Sequence, residues 1–141
     1  MALDSETWGP HYWFVLLTIA LCYPLNPNDV TKKKYYEFIQ NLPLFLPDQQ
    51  MGNKFSELLD KYPVTPYLDS RESFVKWVHF MHNRVNVTIN KDEITLTQAL
   101  SEYYMQYKPK AIKLREELKY RKKFVYFGIL IALILFIYYM Y

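Results

Sequence analysis

The sequence has a single cysteine, Cys22. An intrachain disulfide, a thiolate zinc site and a dithiol redox motif each need more than one cysteine, so none of them can form within these 141 residues. Cys22 ends the apolar run WFVLLTIALC, and a free cysteine in such surroundings behaves as a small hydrophobic residue. We therefore expect Cys22 to be buried.

Glycine is also scarce, with three residues in the whole chain. Hairpin turns between strands favour glycine, so this scarcity argues against a strand-and-turn architecture and for helices. Hydrophobic residues make up 51% of the sequence, which is ample for the packed core of one ordinary domain. The net charge of +3 is too small to indicate nucleic acid as a partner.

Apolar residues recur at helical spacing in five segments, which predicts an all-α fold. A first helix is predicted over residues 5–22, a second from a cap at Asn28 or Asp29, and a third from a cap at Asp48. A further helical stretch over 95–123 is interrupted at Pro109. The predicted architecture is a small bundle of four or five helices.

A fourth helix has a core-facing stripe formed by Trp77, Val78, Met81 and Val85. Asp69 and Glu72 have the spacing of a capping box at its start. Its last turns read HNRVN, and asparagine there indicates either a frayed helix end or a ligand site. His11, His79 and His82 are not accompanied by a carboxylate set, so no metal site is predicted.

Residues 124–141 contain no charge and no proline, and as a helix they are about 27 Å long, close to the hydrocarbon thickness of a bilayer. Lys119, Arg121, Lys122 and Lys123 precede them. The sequence therefore predicts a bundle at 1–94, a charged helical stalk at 95–123 and a transmembrane tail anchor at 124–141. The basic flank places the bundle on the cytosolic side, and the acidic MALDSETW start has no signal-peptide pattern.

Two blocks resemble the flavin-dependent sulfhydryl oxidases of the Erv/ALR type. WGPHYWFVLLTIALCYP is similar to that family's first helix, in which Trp-Gly leads to Trp, Leu-His, Ala and Tyr-Pro. WVHFMHNRVNVTINK is similar to its Trp…His-Asn-x-Val-Asn…Lys signature, and together the blocks cover about residues 8–92. The resemblance implies a small helical bundle that binds FAD at its mouth.

The residues that match the family's flavin-contact positions are Trp13, His82, Asn83, Asn86 and Lys91. Aromatic stacking, directed hydrogen bonds and a cation for phosphate are the interactions that such a cofactor needs. The alternative is a relic turn, in which the histidine and asparagine side chains cap a helix or join helices. The sequence favours the relic turn, which predicts that no cofactor is bound. FAD binding stays open as the alternative.

Other positions depart from the family pattern. Asp48 and Met51 stand where the family has the two cysteines of Cys-x-x-Cys, and Leu17 replaces a histidine of the first helix. Thiol oxidation by the family's route needs a thiolate and a second sulfur, which neither a carboxylate nor a thioether supplies. The sequence-based prediction is therefore that the chain has no catalytic residues and is not an enzyme.

The predicted function is structural: a redox-inactive, tail-anchored oxidase-like protein. From the family's occurrence in large DNA viruses, the resemblance implies a minor capsid component in the internal membrane of a virion, joining that membrane to capsid proteins. Two alternatives stay open, namely a FAD-binding electron-transfer protein and an assembly partner of an active thiol oxidase. A homodimer through the family's bundle-to-bundle contact is a further partner prediction.

Overall fold

The computed structural model describes residues 3–140, and the regular secondary structure of these residues is entirely helical. Residues 1, 2 and 141, which include the ends of the predicted bundle and anchor, lie outside the described residues. The six helices are α1 Ser5–Leu21, α2 Asp29–Asn41, α3 Gln49–Lys61, α4 Arg71–Thr88, α5 Leu96–Met105 and α6 Lys110–Met140. Short 3₁₀ turns occupy Leu42–Phe45 and Thr65–Tyr67, and no strand occurs within 3–140. The all-α prediction is confirmed.

The chain divides into two compact units, and the division falls inside α5. The first unit extends to Leu100 and contains α1 to α4 with both 3₁₀ turns. The second begins at Ser101 and contains α6. The predicted boundaries between bundle, stalk and anchor, after residues 94 and 123, stay predictions.

Side-chain caps fix where the helices of the first unit begin. Asn28 Oδ1 accepts a hydrogen bond from the backbone N–H of Thr31 at 2.8 Å, and Asp48 Oδ1 accepts one from Gln50 at 2.8 Å. These bonds satisfy amides that have no partner within the helix. The predicted caps at Asn28 and Asp48 are therefore confirmed.

The predicted capping box at the start of α4 is wrong. Ser70 is the cap, and its Oγ accepts a hydrogen bond from the backbone N–H of Ser73 at 3.2 Å. Because α4 begins one residue later than expected, Glu72 occupies the second helical position, from which it cannot reach back to the cap. Asp69 instead pairs with Lys32 Nζ at 2.6 Å.

The core of the first unit lies along one face of α4. The predicted stripe of Trp77, Val78, Met81 and Val85 is buried throughout. Tyr23 is fully buried beside this core, and its hydroxyl donates a hydrogen bond to the Leu68 carbonyl at 2.7 Å. The link between the end of α1 and the residues before α4 is thus both apolar and hydrogen-bonded.

The prediction that Cys22 is buried is wrong. Cys22 is exposed and caps the C-terminal end of α1. The buried positions of α1 are Leu16, Leu17 and Ala20, and helical periodicity continues that face to Tyr23 rather than to Cys22. An apolar run in sequence therefore does not establish burial, since the helix turns Cys22 outwards.

Helix α6 has 31 residues and none of them is buried. It includes residues 124–140, which carry no charge. By length and composition this helix can cross a membrane. The transmembrane prediction is supported to that extent.

Candidate functional site

A cleft of about 50 Å³ lies within the first unit. Its walls come from α1, α3, α4 and the residues around the first 3₁₀ turn. The side chains that line it include those of Trp8, Tyr12, Trp13, Met51, Phe55 and Val85. Among the residues that the structure describes, no charged residue lines this cleft, so it suits an uncharged ring system.

Of the five predicted site residues, Trp13 lines this cleft, and His82 contacts Trp13 without lining the cleft itself. The rings of Trp13 and His82 stack, with centroids 4.4 Å apart and planes 21° apart, while Phe55 lies tilted 6.3 Å from Trp13. Helices α1 and α4 bring them together, because Trp13 and His82 lie on the faces that the two helices turn towards each other. The sequence-based grouping of Trp13 with His82 thus corresponds to a physical contact.

His82 is held as a neutral imidazole. Burial, and to a smaller degree the nearby His79, lower the pKa of His82 to about 4. The charged form of histidine is disfavoured when its hydration is lost. Neither ring nitrogen of His82 makes a hydrogen bond within residues 3–140. Its nitrogens are therefore free to serve as donor and acceptor.

The two asparagines organise the loop that follows α4. Asn83 Nδ2 donates to the Ile94 carbonyl at 2.9 Å, and Asn83 Oδ1 accepts from the Ile94 N–H at 3.1 Å. Asn86 Nδ2 donates to the Asp92 carbonyl at 3.4 Å. The helix is not frayed here, since α4 continues to Thr88. The two asparagines at the end of α4 therefore fix the position of the loop that follows, with or without a ligand.

Lys91 lies in that loop and reaches α1. Its backbone N–H donates to the Asn86 carbonyl at 2.8 Å, and its Nζ lies 3.4 Å from Glu6 Oε1. Both side chains of this ion pair are exposed, so the pair is weak and the ammonium is available to another anion. All five predicted site residues consequently lie on or beside the contact between α1 and α4.

Asp48 and Met51, which occupy the family's cysteine positions, have different surroundings. The Asp48 carboxylate caps α3 and is not part of the cleft wall. Met51 lines the cleft, whereas Leu17 is buried without lining it. The first turn of α3 thus presents a thioether to the cleft.

Sequence reasoning missed two aromatic residues of the wall, Trp8 and Tyr12. Their rings are 5.3 Å apart in an edge-to-face arrangement, and the Tyr12 hydroxyl donates to the Phe45 carbonyl at 2.7 Å. The signal was present in the sequence, since residues 8 and 12 are four apart and therefore share a helix face. Asp/Glu/His/Cys groups able to hold a metal are not found within residues 3–140.

A model of the Erv1 / Alr family matches residues 10–108, which is more than half of the chain. The chain belongs to the Erv1/Alr family. This confirms the resemblance that the two sequence blocks indicated. The match includes α1 from residue 10 onwards, all of α4 and the loop that carries Lys91, and hence every predicted site residue.

Relatives in the Erv1/Alr family include viral proteins. A probable FAD-linked sulfhydryl oxidase of Acanthamoeba polyphaga mimivirus is 34% identical over 109 residues, covering 77% of this chain and 76% of that protein. The FAD-linked sulfhydryl oxidase of an African swine fever virus isolate from Kenya is 31% identical over 96 residues, covering 68% and 79%.

The fold has a solved counterpart. The FAD-binding domain of Erv1 from Saccharomyces cerevisiae superimposes with a TM-score of 0.62 at 25% identity, covering 67% of this chain and 89% of that domain. The predicted oxidase-like bundle is therefore confirmed at the level of the fold.

The prediction that this Erv1/Alr protein is not an enzyme is wrong. Its relatives are named FAD-linked sulfhydryl oxidases, which points to thiol oxidation. The prediction treated an internal cysteine pair as indispensable. Because thiols on a separate molecule can supply the same two sulfur atoms, the identity of residues 48 and 51 does not exclude the activity.

Proposed function

We propose that this protein is an FAD-linked thiol oxidase whose electron-donating dithiol belongs to another molecule. The observation that supports it most directly is the stack of His82 on Trp13, a residue that lines an uncharged cleft. A stacked, neutral aromatic pair is suited to a planar cofactor ring, and the fold requires no hydrogen bond from the nitrogens of His82.

The residues present fit FAD. Trp13 offers an aromatic face, His82 offers a neutral donor and acceptor, and Lys91 offers a positive charge for a diphosphate. The cleft is smaller than three fused rings, so binding requires the half-buried Met51 side chain to move. Methionine has three rotatable bonds and adapts readily to such a change.

The chemistry that bound FAD would supply is two-electron transfer: a dithiol would become a disulfide, and its two electrons and two protons would reduce dioxygen to hydrogen peroxide. The protein's part is to hold the ring and keep water away from it. His82 is uncharged at neutral pH and can receive a hydrogen bond at its free ring nitrogen. The absence of a carboxylate from the cleft wall avoids repulsion of an anionic ring.

The dithiol is assigned to a separate molecule because Cys22 is poorly placed. Cys22 lies nine residues beyond Trp13 along α1, about 14 Å along the helix axis. It is exposed, and it follows the last helical residue rather than lining the cleft. Met51 lines the cleft at the position of one of the family's cysteines, and we place the incoming dithiol beside it.

Flavin binding is tested by incubating the full chain, purified in detergent, with FAD and recording its absorbance after desalting. The wild-type protein should retain a flavin band. Trp13→Leu should lower the affinity by about tenfold, the value of one aromatic stacking contact. His11→Gln changes an exposed histidine on the same helix and should have no effect. A folded, helical wild-type protein that desalts colourless would refute flavin binding.

Thiol oxidation is tested by oxygen consumption with a small dithiol, a monothiol and a reduced protein dithiol as alternative substrates. We expect turnover with dithiols and a much slower reaction with the monothiol, since one molecule then supplies both sulfur atoms. Cys22→Ser should keep the wild-type rate. Loss of turnover in that variant would show that the electron path uses Cys22 and would contradict a dithiol from another molecule.

The location proposed for this activity is a membrane, with α6 as the anchor and the bundle on the cytosolic side. The basic flank before residue 124 and the uncharged segment after it support this orientation. We propose the internal membrane of a virion, next to the capsid, as the particular membrane, since relatives of this chain include viral proteins. Protease digestion of sealed vesicles tests the orientation, because an exposed bundle is cleaved without detergent and an enclosed one is not.

A further inference from the structure

The second unit contains a groove that the proposed oxidase chemistry does not use. Its volume is about 450 Å³. We call it the lysine groove, and it is lined by Met105, Lys108, Glu116, Lys119, Tyr120 and Lys123. All six residues follow Ser101, so the groove lies within one compact unit.

The charges of the lysine groove are unbalanced. Lys108 Nζ lies 3.2 Å from each carboxylate oxygen of Glu116, and this pair neutralises itself. Lys119 and Lys123 have no ion-pair partner within residues 3–140. They are four residues apart on α6 and therefore neighbours, so their like charges repel until an anion lies between them.

The groove lies next to the apolar segment of α6. Lys123 directly precedes Phe124, and α6 continues without a break through this junction. Lys119 is five residues before Phe124, about 8 Å along the helix axis. The headgroup layer of a bilayer is about 5–8 Å thick on each side, so the two lysines fall at the depth of lipid phosphates. Tyr120 between them is a residue type enriched at this depth.

We propose that the lysine groove binds the phosphate headgroup of an anionic phospholipid. This inference rests on α6 crossing the membrane. Two unpaired ammonium groups on adjacent turns suit a phosphate diester, and juxtamembrane lysines attract anionic lipids in general. Free phosphate offers the same charge, but the position of the groove beside the apolar segment favours a phosphate that is already attached to the bilayer.

The experiment reconstitutes the full chain into phosphatidylcholine vesicles that contain trace spin-labelled phosphatidylglycerol or spin-labelled phosphatidylcholine. The motionally restricted fraction of each label gives its relative affinity for the protein. We expect preference for phosphatidylglycerol, and we expect Lys119→Gln/Lys123→Gln to lower that preference about tenfold. Arg121→Gln/Lys122→Gln removes the same charge from the same segment without altering the groove lining, so most of the preference should remain.

Three outcomes would overturn the proposal. Equal loss of preference in both double variants would mean diffuse attraction to the basic segment rather than a site. Full displacement of the labelled lipid by inorganic phosphate, but not by chloride at equal ionic strength, would make free phosphate the ligand. Failure of the chain to float with vesicles would show that α6 does not insert into a membrane, on which the proposal rests. This result does not depend on the flavin spectrum, which tests the oxidase.

Discussion

The neutral His82 makes the free energy of unfolding of the first unit depend on pH. Burial lowers the pKa of His82 from 6.5 to about 4. Between these values the unfolded chain binds the proton and the folded chain does not, so the free energy of unfolding falls as the pH decreases from about 6.5 towards 4. Integrated from pH 7 to pH 5, this one group lowers the free energy of unfolding by about 2 kcal/mol.

Urea unfolding of the full chain in detergent, followed by tryptophan fluorescence, measures this loss. Trp8, Trp13 and Trp77 all lie in the first unit, so the signal reports on the bundle rather than on α6. Glu72 also has a pKa lowered by its hydrogen bond to Lys76, and its contribution changes chiefly below its ordinary pKa. Between pH 7 and pH 5, the change in the free energy of unfolding therefore comes mainly from histidine.

The variant His82→Phe keeps a ring against Trp13 and removes the titrating group. Its free energy of unfolding should change much less over the same pH range. Burial also lowers the pKa of His79, so a part of the decrease remains. The exposed His11 supplies the control His11→Gln, which should follow the wild type. An equal decrease in His82→Phe and the wild type would refute a buried, neutral His82.

Three further variants test packing and the cleft. Gly52→Ala places a Cβ 2.8 Å from the Pro43 carbonyl oxygen, so it should destabilise the bundle by about 1 kcal/mol. A Cβ at Gly9 meets open space, so Gly9→Ala should stabilise the bundle by up to about 1 kcal/mol. Urea unfolding measures both changes. Asn83→Ala removes both bonds to the loop after α4 and should cost about 2–3 kcal/mol; retained stability would contradict that link. Met51→Ala widens the cleft and should tighten FAD binding in fluorescence titration; weaker binding would mean that Met51 contacts the ring rather than obstructing it.

The sequence was sufficient where the deciding interaction is local. The caps at Asn28 and Asp48 bond to amides two or three residues away, and the stripe of α4 repeats with the helical period. Each of these features depends on a short window of residues. The helices and the core face of α4 could therefore be derived without knowledge of the fold.

The errors arose where a distant or competing contact decides the outcome. Asp69 forms an ion pair with Lys32, which lies 37 residues earlier, and this leaves Ser70 to cap α4. The bonds of Asn83 to Ile94 join two segments whose proximity depends on the loop between them. Cys22 illustrates competition within one helix, because Tyr23 takes the inward position.

The candidate site was predicted by resemblance, and the structure separates two roles within it. Asn83 and Asn86 bond to the loop after α4, so folding alone accounts for their presence in the HNRVN segment. The motif is consequently weaker evidence for a flavin than its similarity to the family suggests. A chain that had lost the cofactor would still need these two asparagines.

His82 is different, because folding gains little from it. Its half-buried ring loses hydration at a cost, remains neutral, and makes no hydrogen bond within residues 3–140. A phenylalanine would stack on Trp13 equally well without that desolvation cost. The pair of variants therefore separates the roles: Asn83→Ala should destabilise the protein with or without FAD, whereas His82→Phe should leave a stable fold that binds FAD more weakly. If His82→Phe binds FAD as the wild type does, then the imidazole serves neither the fold nor the cofactor, and the case for a flavin at this cleft would depend on Trp13 alone.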